Sequence, residues 1–238
     1  MTGKASYVSS LARSRAALAS GRRPEVFALA GREWDLLDGV FAPVCSATTG
    51  VALELLGLTG DEAPAFRRDG SFLEVGSGTG VIAVSAALAG CSPVVATDIS
   101  VSAVQNTDKN AARHGVADRL TSVHGDLFGA IGAMARFDTV YWHSNYVLAP
   151  PGYRHRTDHE RAYVDPGYEA HRRYLAEAPG LLTEGGTALL QFSERGDLKL
   201  LRRLAEECGR TLRPLRRRQL TEGDETIELV LYEISVKN

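Results

Sequence analysis

Three alternating glycines occupy the segment Leu73-Glu74-Val75-Gly76-Ser77-Gly78-Thr79-Gly80, between a short apolar run and the apolar stretch from Val81 to Ala89. Glycine admits positive φ and has no Cβ to hold a ligand away from the main chain, while a helix that starts there offers free N–H groups. A polar ligand is therefore expected at this bend. The next β-rich run, Val94 to Thr97, delivers Asp98 at its carboxyl end. In a right-handed strand-helix-strand unit that carboxylate stands beside the glycine bend and can accept both hydroxyls of a ribose. A second set, His143-Ser144-Asn145-Tyr146, directly follows the run Phe137 to Trp142. It falls at the carboxyl end of a strand, where open α/β sheets place their sites. His143 offers a base near neutral pH, and Asn145 a hydrogen-bonding group that could orient a nucleophile.

The glycine spacing narrows the ligand. GxGxG is tighter than the GxGxxG of a pyrophosphate-binding fingerprint, and Glu74 beside it would repel pyrophosphate but suit a cationic amino-acid ligand. Tyr141, Trp142, Tyr146 and Tyr153 cluster near the second set. Their faces can attract a sulfonium, although core or lid packing explains such rings equally well. His155 and His159 are four apart with Asp158 between them, but no third ligand is assured and no metal is expected. Arg154, Arg156 and Arg161 could bind a substrate carboxylate or simply be solvated.

These groups need a scaffold, and the chain reads as one. From Gly70 onward β-rich runs alternate with helical ones: strands at Phe72–Val75, Val94–Thr97, Thr121–His124, Asp138–Trp142 and Thr187–Phe192, the last preceding a helix from Asp197 to Cys208. That alternation is the mark of a parallel sheet. Leu212–Leu220 and Thr226–Ile234, joined by Glu222-Gly223-Asp224, then read as a C-terminal antiparallel hairpin. Ahead of the sheet, Val8–Ala19 reads as a short amphipathic helix ending near Gly21, and Val51–Leu58 as a second helix closed by Gly57 or Gly60. Residues 1–60 are thus expected to form an N-terminal helical cap, and residues 61–238 a Rossmann-like α/β catalytic domain. The segment Ala149–Asp165 is expected to lie over the pocket as a substrate-selecting loop.

Composition bounds the function class. The 238 residues are 44% hydrophobic and 24% charged, with 27 Lys+Arg against 29 Asp+Glu, an ordinary globular balance without an overall drive toward nucleic acid or anionic membrane. No signal-like or membrane-spanning run is seen. Cys45, Cys91 and Cys208 form no CxxC pair, which fits a reducing cytoplasm. Arg210, Arg213 and Arg216-Arg217-Arg218 are offset by Glu222, Asp224 and Glu225 and read as the solvated edge of a sheet.

Leu73 to Gly90, Ala96-Thr97-Asp98-Ile99-Ser100, Lys109-Asn110-Ala111 and Gly125-Asp126-Leu127-Phe128 together resemble the successive motifs of class I S-adenosylmethionine (SAM) dependent methyltransferases. They are most similar to release-factor glutamine methyltransferases and small-substrate relatives. The resemblance spans roughly Val40 to Ser193. It implies that SAM is the cofactor, that Glu74, Gly76, Ser77, Gly78 and Gly80 surround its methionine portion, that Asp98 and Ile99 hold the ribose, and that Asp126 and Leu127 flank the adenine. At the reacting end only Tyr146 of the family's motif is retained; His143, Asn145 and Tyr146 are the expected reaction-site residues because the carboxyl end of their strand faces the cofactor cleft, and His143 is expected beside the cofactor as well. The family's Asn-Pro-Pro-Tyr motif is replaced here, with His143 where the amide-gripping Asn would stand. An imidazole cannot both donate to and accept from an NH₂ group as a carboxamide does. The expected activity is therefore methylation of a nitrogen or oxygen of a small metabolite, with nucleic acid and membrane not expected as partners and the oligomeric state left open. The alternatives are cyclisation of SAM itself to azetidine-2-carboxylate with release of methylthioadenosine, and methylation of a protein or RNA. A non-catalytic SAM-binding regulator is a further reading.

Overall fold

A computed structural model describes residues 6–20, 23–222 and 225–236. In chain order the elements are α1 (Tyr7–Ala19), β1 (Val26–Leu29), β2 (Arg32–Asp35), α2 (Thr48–Leu56), β3 (Phe72–Val75), α3 (Val81–Leu88), β4 (Val94–Asp98), α4 (Val101–Arg113), β5 (Leu120–His124) and β6 (Phe137–His143). They continue with β7 (Leu148–Ala149), α5 (Asp158–Arg161), β8 (Asp165–Pro166), α6 (Glu169–Glu177), β9 (Leu182–Ser193), α7 (Leu198–Glu207), β10 (Arg210–Glu222) and β11 (Glu225–Val236).

Seven strands form one sheet in the order β10-β11-β9-β6-β3-β4-β5. The five from β9 to β5 are parallel, and β11 joins β9 antiparallel with β10 beyond it. Parallel strands covered on both faces should be apolar throughout rather than alternating, and all four residues of β3 are buried. Successive side chains then enter opposite halves of the interior. Phe72, Tyr141, Leu189 and Leu229 pack with α2 and α3, while Leu73, Val140, Trp142, Leu190 and Val230 pack with α6 and α7. The mostly parallel α/β sheet with its C-terminal antiparallel hairpin is the expected architecture.

Three local differences have physical causes. Within the stretch expected as a helical cap, Val26–Asp35 is a hairpin, turning through Ala30 and Gly31, both with positive φ. Its period-2 pattern buries Phe27 and Trp34, which face each other across the pair. β9 starts at Leu182, ahead of Gly185-Gly186 rather than after it, because pairing with β6 resumes across an irregularity between Phe137 and Thr139. A Cβ on Gly186 would lie 2.9 Å from the Phe137 carbonyl oxygen. Of the expected turn residues, Gly223 and Asp224 lie outside the described residues, as does Gly21. Helix α2 does close at Gly57, whose φ of 69° is left-handed and whose missing Cβ leaves room for the Ala63 carbonyl. No helix among the described residues is long and apolar enough to cross a membrane.

Candidate active site

The carboxyl ends of β3, β4 and β6 open onto one cavity of about 800 Å³, in the range of roughly 300–1,000 Å³ common for small-molecule sites. Glu74, Gly76, Ser77, Gly78, Asp98, Ile99, Asp126, Leu127, His143, Asn145 and Tyr146 all line it. Chain segments more than sixty residues apart are thus brought to one place.

The glycine bend is built as its composition requires. Gly76, Gly78 and Gly80 have φ of 68°, 55° and 77°. Gly76 N and Ser77 N donate to the Thr97 carbonyl at 2.8 and 3.1 Å, pinning the bend to β4. A Cβ on Gly78 would meet no protein atom within 4 Å, so this stretch of backbone is bare toward the cavity. Gly80 departs from the expectation: it does not line the cavity but caps α3, and a Cβ there would fall 2.9 Å from Thr107 Cα. Its role is to let α3 and α4 approach. Two α4 amides complete the support, with Asn110 Nδ2 donating to the Thr79 carbonyl at 2.8 Å and both Asn106 and Asn110 binding the backbone of β2.

Two carboxylates flank the bend. Glu74 is buried and accepts from Ala83 N at 2.8 Å. Burial pushes its carboxyl well above the ordinary range, against the opposing pull of that N–H. Asp98 accepts from Gly78 N and Ser100 N, one per oxygen, each at 2.9 Å. Burial raises its carboxyl too, with the two N–H donors working against it. Each Asp98 oxygen keeps acceptor capacity for a further donor. A cation set between two desolvated carboxylates would relieve their burial, so the donor set fits the sulfonium and ammonium of SAM with its ribose on Asp98. Where the resemblance places the adenine, Asp126 pairs with Arg173 at 2.6 Å, and buried Leu127 adopts φ of 50°.

The reacting end differs more from its sequence reading. His143, the last residue of β6, lines the cavity, and burial lowers its imidazole to about 4. The expected base near neutral pH is therefore a neutral imidazole that accepts or donates one hydrogen bond per nitrogen. Ser144 is tied back to the Gln191 carbonyl at 2.8 Å. Asn145 Nδ2 donates to the Arg161 and Val164 carbonyls at 2.7 and 3.0 Å, so this amide grips the overlying loop with its donor side. Tyr146 lines the cavity and packs on Phe192, and its carbonyl accepts from Tyr168 Oη at 2.5 Å. Of the other rings, Trp142 and Tyr153 line the cavity, whereas Tyr141 points away and donates to Gln191 Oε1 at 3.0 Å.

The 149–165 loop does lie over this cavity, together with α1, which sequence reasoning did not connect to it. Ser14 Oγ and His159 Nδ1 are 2.8 Å apart and buried, and Leu11 packs with Val147, Ala149 and Val164. His155 Nε2 bonds the Val164 carbonyl at 3.1 Å. Nothing local in the sequence marks these contacts, since Ser14 and His159 are joined only by the fold. Among the described residues no cluster of three His, Cys, Asp or Glu could hold a metal ion. On the hairpin, Arg213, Arg216, Arg217 and Arg218 pair with Glu233, Glu62, Glu228 and Glu54 or Glu62.

The family model for ribosomal protein L11 methyltransferase (PrmA) matches residues 46–141. A ribosomal protein uL3 glutamine methyltransferase of Bordetella pertussis is 35% identical over 52% of this chain and 44% of its own length. A release factor glutamine methyltransferase of the same organism is 31% identical over 71% of this chain and 64% of its own. The chain thus spans less than half of the first of these relatives. Among solved structures, the Bacillus subtilis M1A22 tRNA methyltransferase TrmK superposes with a TM-score of 0.50 at 14% identity, covering 73% of this chain and 63% of that one. These names correct the expected partners. The curated relatives carry protein substrates in their names, so the small-molecule acceptor, and a reaction on SAM alone, give way. The exclusion of nucleic acid is withdrawn as well, because the same fold serves a tRNA methyltransferase.

Proposed function

We propose that the chain is a class I SAM-dependent methyltransferase that transfers the methyl group of SAM to a nitrogen of a protein side chain; its similarity to the L11 methyltransferase family model over residues 46–141 and to the release factor glutamine methyltransferase supports this. The observation that carries this reading is the convergence, in one cavity, of the bare glycine bend, Asp98 and the neutral imidazole of His143. The names of the curated relatives supply the protein acceptor. SAM would contribute an electrophilic methyl on a sulfonium. This chain's residues do the rest by positioning. Gly76 and Gly78 let the main chain approach the methionine portion, the buried Glu74 carboxyl stands beside it, and Asp98 holds the ribose. His143 accepts a hydrogen bond from the acceptor nitrogen through one ring nitrogen, which aims the lone pair without charging the site. The acceptor that fits this group is a carboxamide nitrogen: an N-methylated, still protonated amide is a strong acid, so an imidazole with a pKa of about 4 is base enough to receive the departing proton.

Incubation with SAM carrying a tritiated methyl group and the soluble and ribosomal proteins of bacterial cells tests the proposal. Label that survives nuclease and is lost with protease is the expected result. Label held in RNA, or methylthioadenosine formed from SAM without any acceptor, overturns it.

A further inference from the structure

The chain's two tryptophans differ in what their N–H groups do. Trp34 Nε1 donates to the Leu29 carbonyl at 3.1 Å, as an indole N–H in a packed interior should. Trp142 Nε1 has no hydrogen-bond partner among the described residues and is not one of the buried orphan atoms, so its N–H is open to the cavity that the ring lines. The rest of the ring is held. Trp142 is 6% exposed and packs against His171 and Tyr174 at centroid distances of 4.7 and 5.2 Å. Both neighbours are themselves fixed, since His171 Nδ1 is bonded to Asp165 Oδ2 at 2.6 Å and Tyr174 Oη donates to the Leu189 carbonyl at 2.7 Å.

The open N–H stands at the glycine bend. Trp142 is the register partner of Val75, and a Cβ on Gly76 would sit 3.4 Å from Nε1 and 3.7 Å from Cδ1. Glycine at this position therefore leaves the indole N–H uncovered. The neighbouring amides are already spent: Gly76 N and Ser77 N on the Thr97 carbonyl, Gly78 N on Asp98 and Gly80 N on the Ser77 carbonyl. An acceptor lying over Gly76 is thus met by the indole and not by these groups. Because an indole N–H only donates, the ammonium at the amino-acid end of SAM cannot use it, whereas the carboxylate can. Glu74 leaves β3 on the other face of the sheet, toward α3, where its carboxyl accepts from Ala83 N. The bend is flanked by an acceptor on one face and a donor on the other, as a zwitterion requires.

We propose that the Trp142 indole N–H binds the amino-acid carboxylate of SAM and sets a preference for the carboxylated cofactor. This rests on the reading of the cavity as a SAM site and is independent of the acceptor. SAM and decarboxylated SAM are titrated by calorimetry into the full-length wild type and into Trp142→Phe, which keeps an aromatic ring and removes the N–H. The expected result is a loss of about tenfold to a hundredfold for SAM, the range of one hydrogen bond to a charged group, with decarboxylated SAM bound equally by both proteins. Wild-type affinity for SAM in the variant overturns the assignment. So does equal weakening toward both ligands, which would reduce Trp142 to packing. The wild type supplies a second readout, in proton–nitrogen spectra where the indoles of Trp34 and Trp142 give one signal each. SAM should move the Trp142 signal downfield and decarboxylated SAM should not; identical spectra with the two ligands overturn the assignment even where Trp142→Phe does not fold. A wild type that binds neither ligand sinks the SAM-site reading as well, whereas tight binding of both with the variant unchanged sinks this inference alone.

Discussion

The wall of the cavity formed by β3, α3 and β4 holds its polar groups through the backbone, whereas the wall formed by α1 and residues 149–165 holds them through side chains of distant segments. On the first wall Gly76 and Ser77 are bonded to Thr97, Asp98 to Gly78 and Ser100, and Glu74 to Ala83, over helix and strand that are almost wholly buried. On the second, α1 buries Leu11, Ser10 and Ser14, joins His159 through one hydroxyl, and leaves Val8 and Leu18 to solvent. Tightly bonded backbone should hold a ligand in one geometry, while a sparsely packed helix should open at low free energy. The difference assigns rigidity to the glycine-bend wall and ease of opening to the α1 wall.

The sharpest way to break this contrast is Gly80→Val. Its Cβ would meet Thr107 backbone in a residue already at φ of 77°, so loss of folding or of all measurable SAM binding is expected by calorimetric titration and thermal melting. Should the variant melt and bind like the wild type, the rigid-wall account fails. Asp98→Ala comes next. Removing the proposed acceptor of two ribose hydroxyls should weaken SAM by about a hundredfold, on the order of 2–3 kcal/mol for charge-assisted bonds; unchanged affinity by calorimetric titration would remove Asp98 from the cofactor site.

On the α1 wall, pH sharpens the comparison. His159 is 4% exposed and its imidazole is lowered to about 4 by burial, with Arg23 adding to the effect. Between that value and the ordinary 6.5 the unfolded chain binds the proton and the folded chain does not. Stability is therefore full above about pH 6.5 and falls as pH drops toward about 4, by up to about 3 kcal/mol from this residue. Denaturant unfolding across that range should flatten in His159→Gln, and an unchanged pH slope would remove His159 from the account. Leu11→Ala should cost about 2–3 kcal/mol within the α1 contact. The expected readout is faster protease cleavage inside residues 7–19 while the sheet's amide protection is kept. Equal loss of protection throughout would show that α1 is no looser than the core. The smallest effect is expected for Arg217→Gln on the hairpin, whose exposed ion pair with Glu228 should be worth less than about 1 kcal/mol.

Legibility in the sequence follows the same division. The glycine bend, Asp98, the four parallel strands from β3 to β6 and the C-terminal hairpin could be read because each depends on short-range pattern: positive-φ glycines, buried apolar runs and a turn. Gly80 was legible as a glycine but not as a packing residue, since only the approach of Thr107 on α4 shows what its missing Cβ permits. The hairpin Val26–Asp35 was missed as a hairpin because its apolar residues suit a helix as well as a strand, and pairing across Ala30-Gly31 decided between them.

What the amino-acid order determined alone was the local chemistry: a glycine-rich backbone bend, an acid at the next strand end, and an imidazole at the end of the fourth parallel strand. Tertiary structure decided the charge states and the partners. The low pKa of His143, the engagement of Asn145 with the Arg161 and Val164 carbonyls, and the meeting of Ser14 with His159 arise from desolvation and from contacts between segments far apart in the chain. Burial and long-range proximity are properties of the packed molecule, and no window of neighbouring residues contains them.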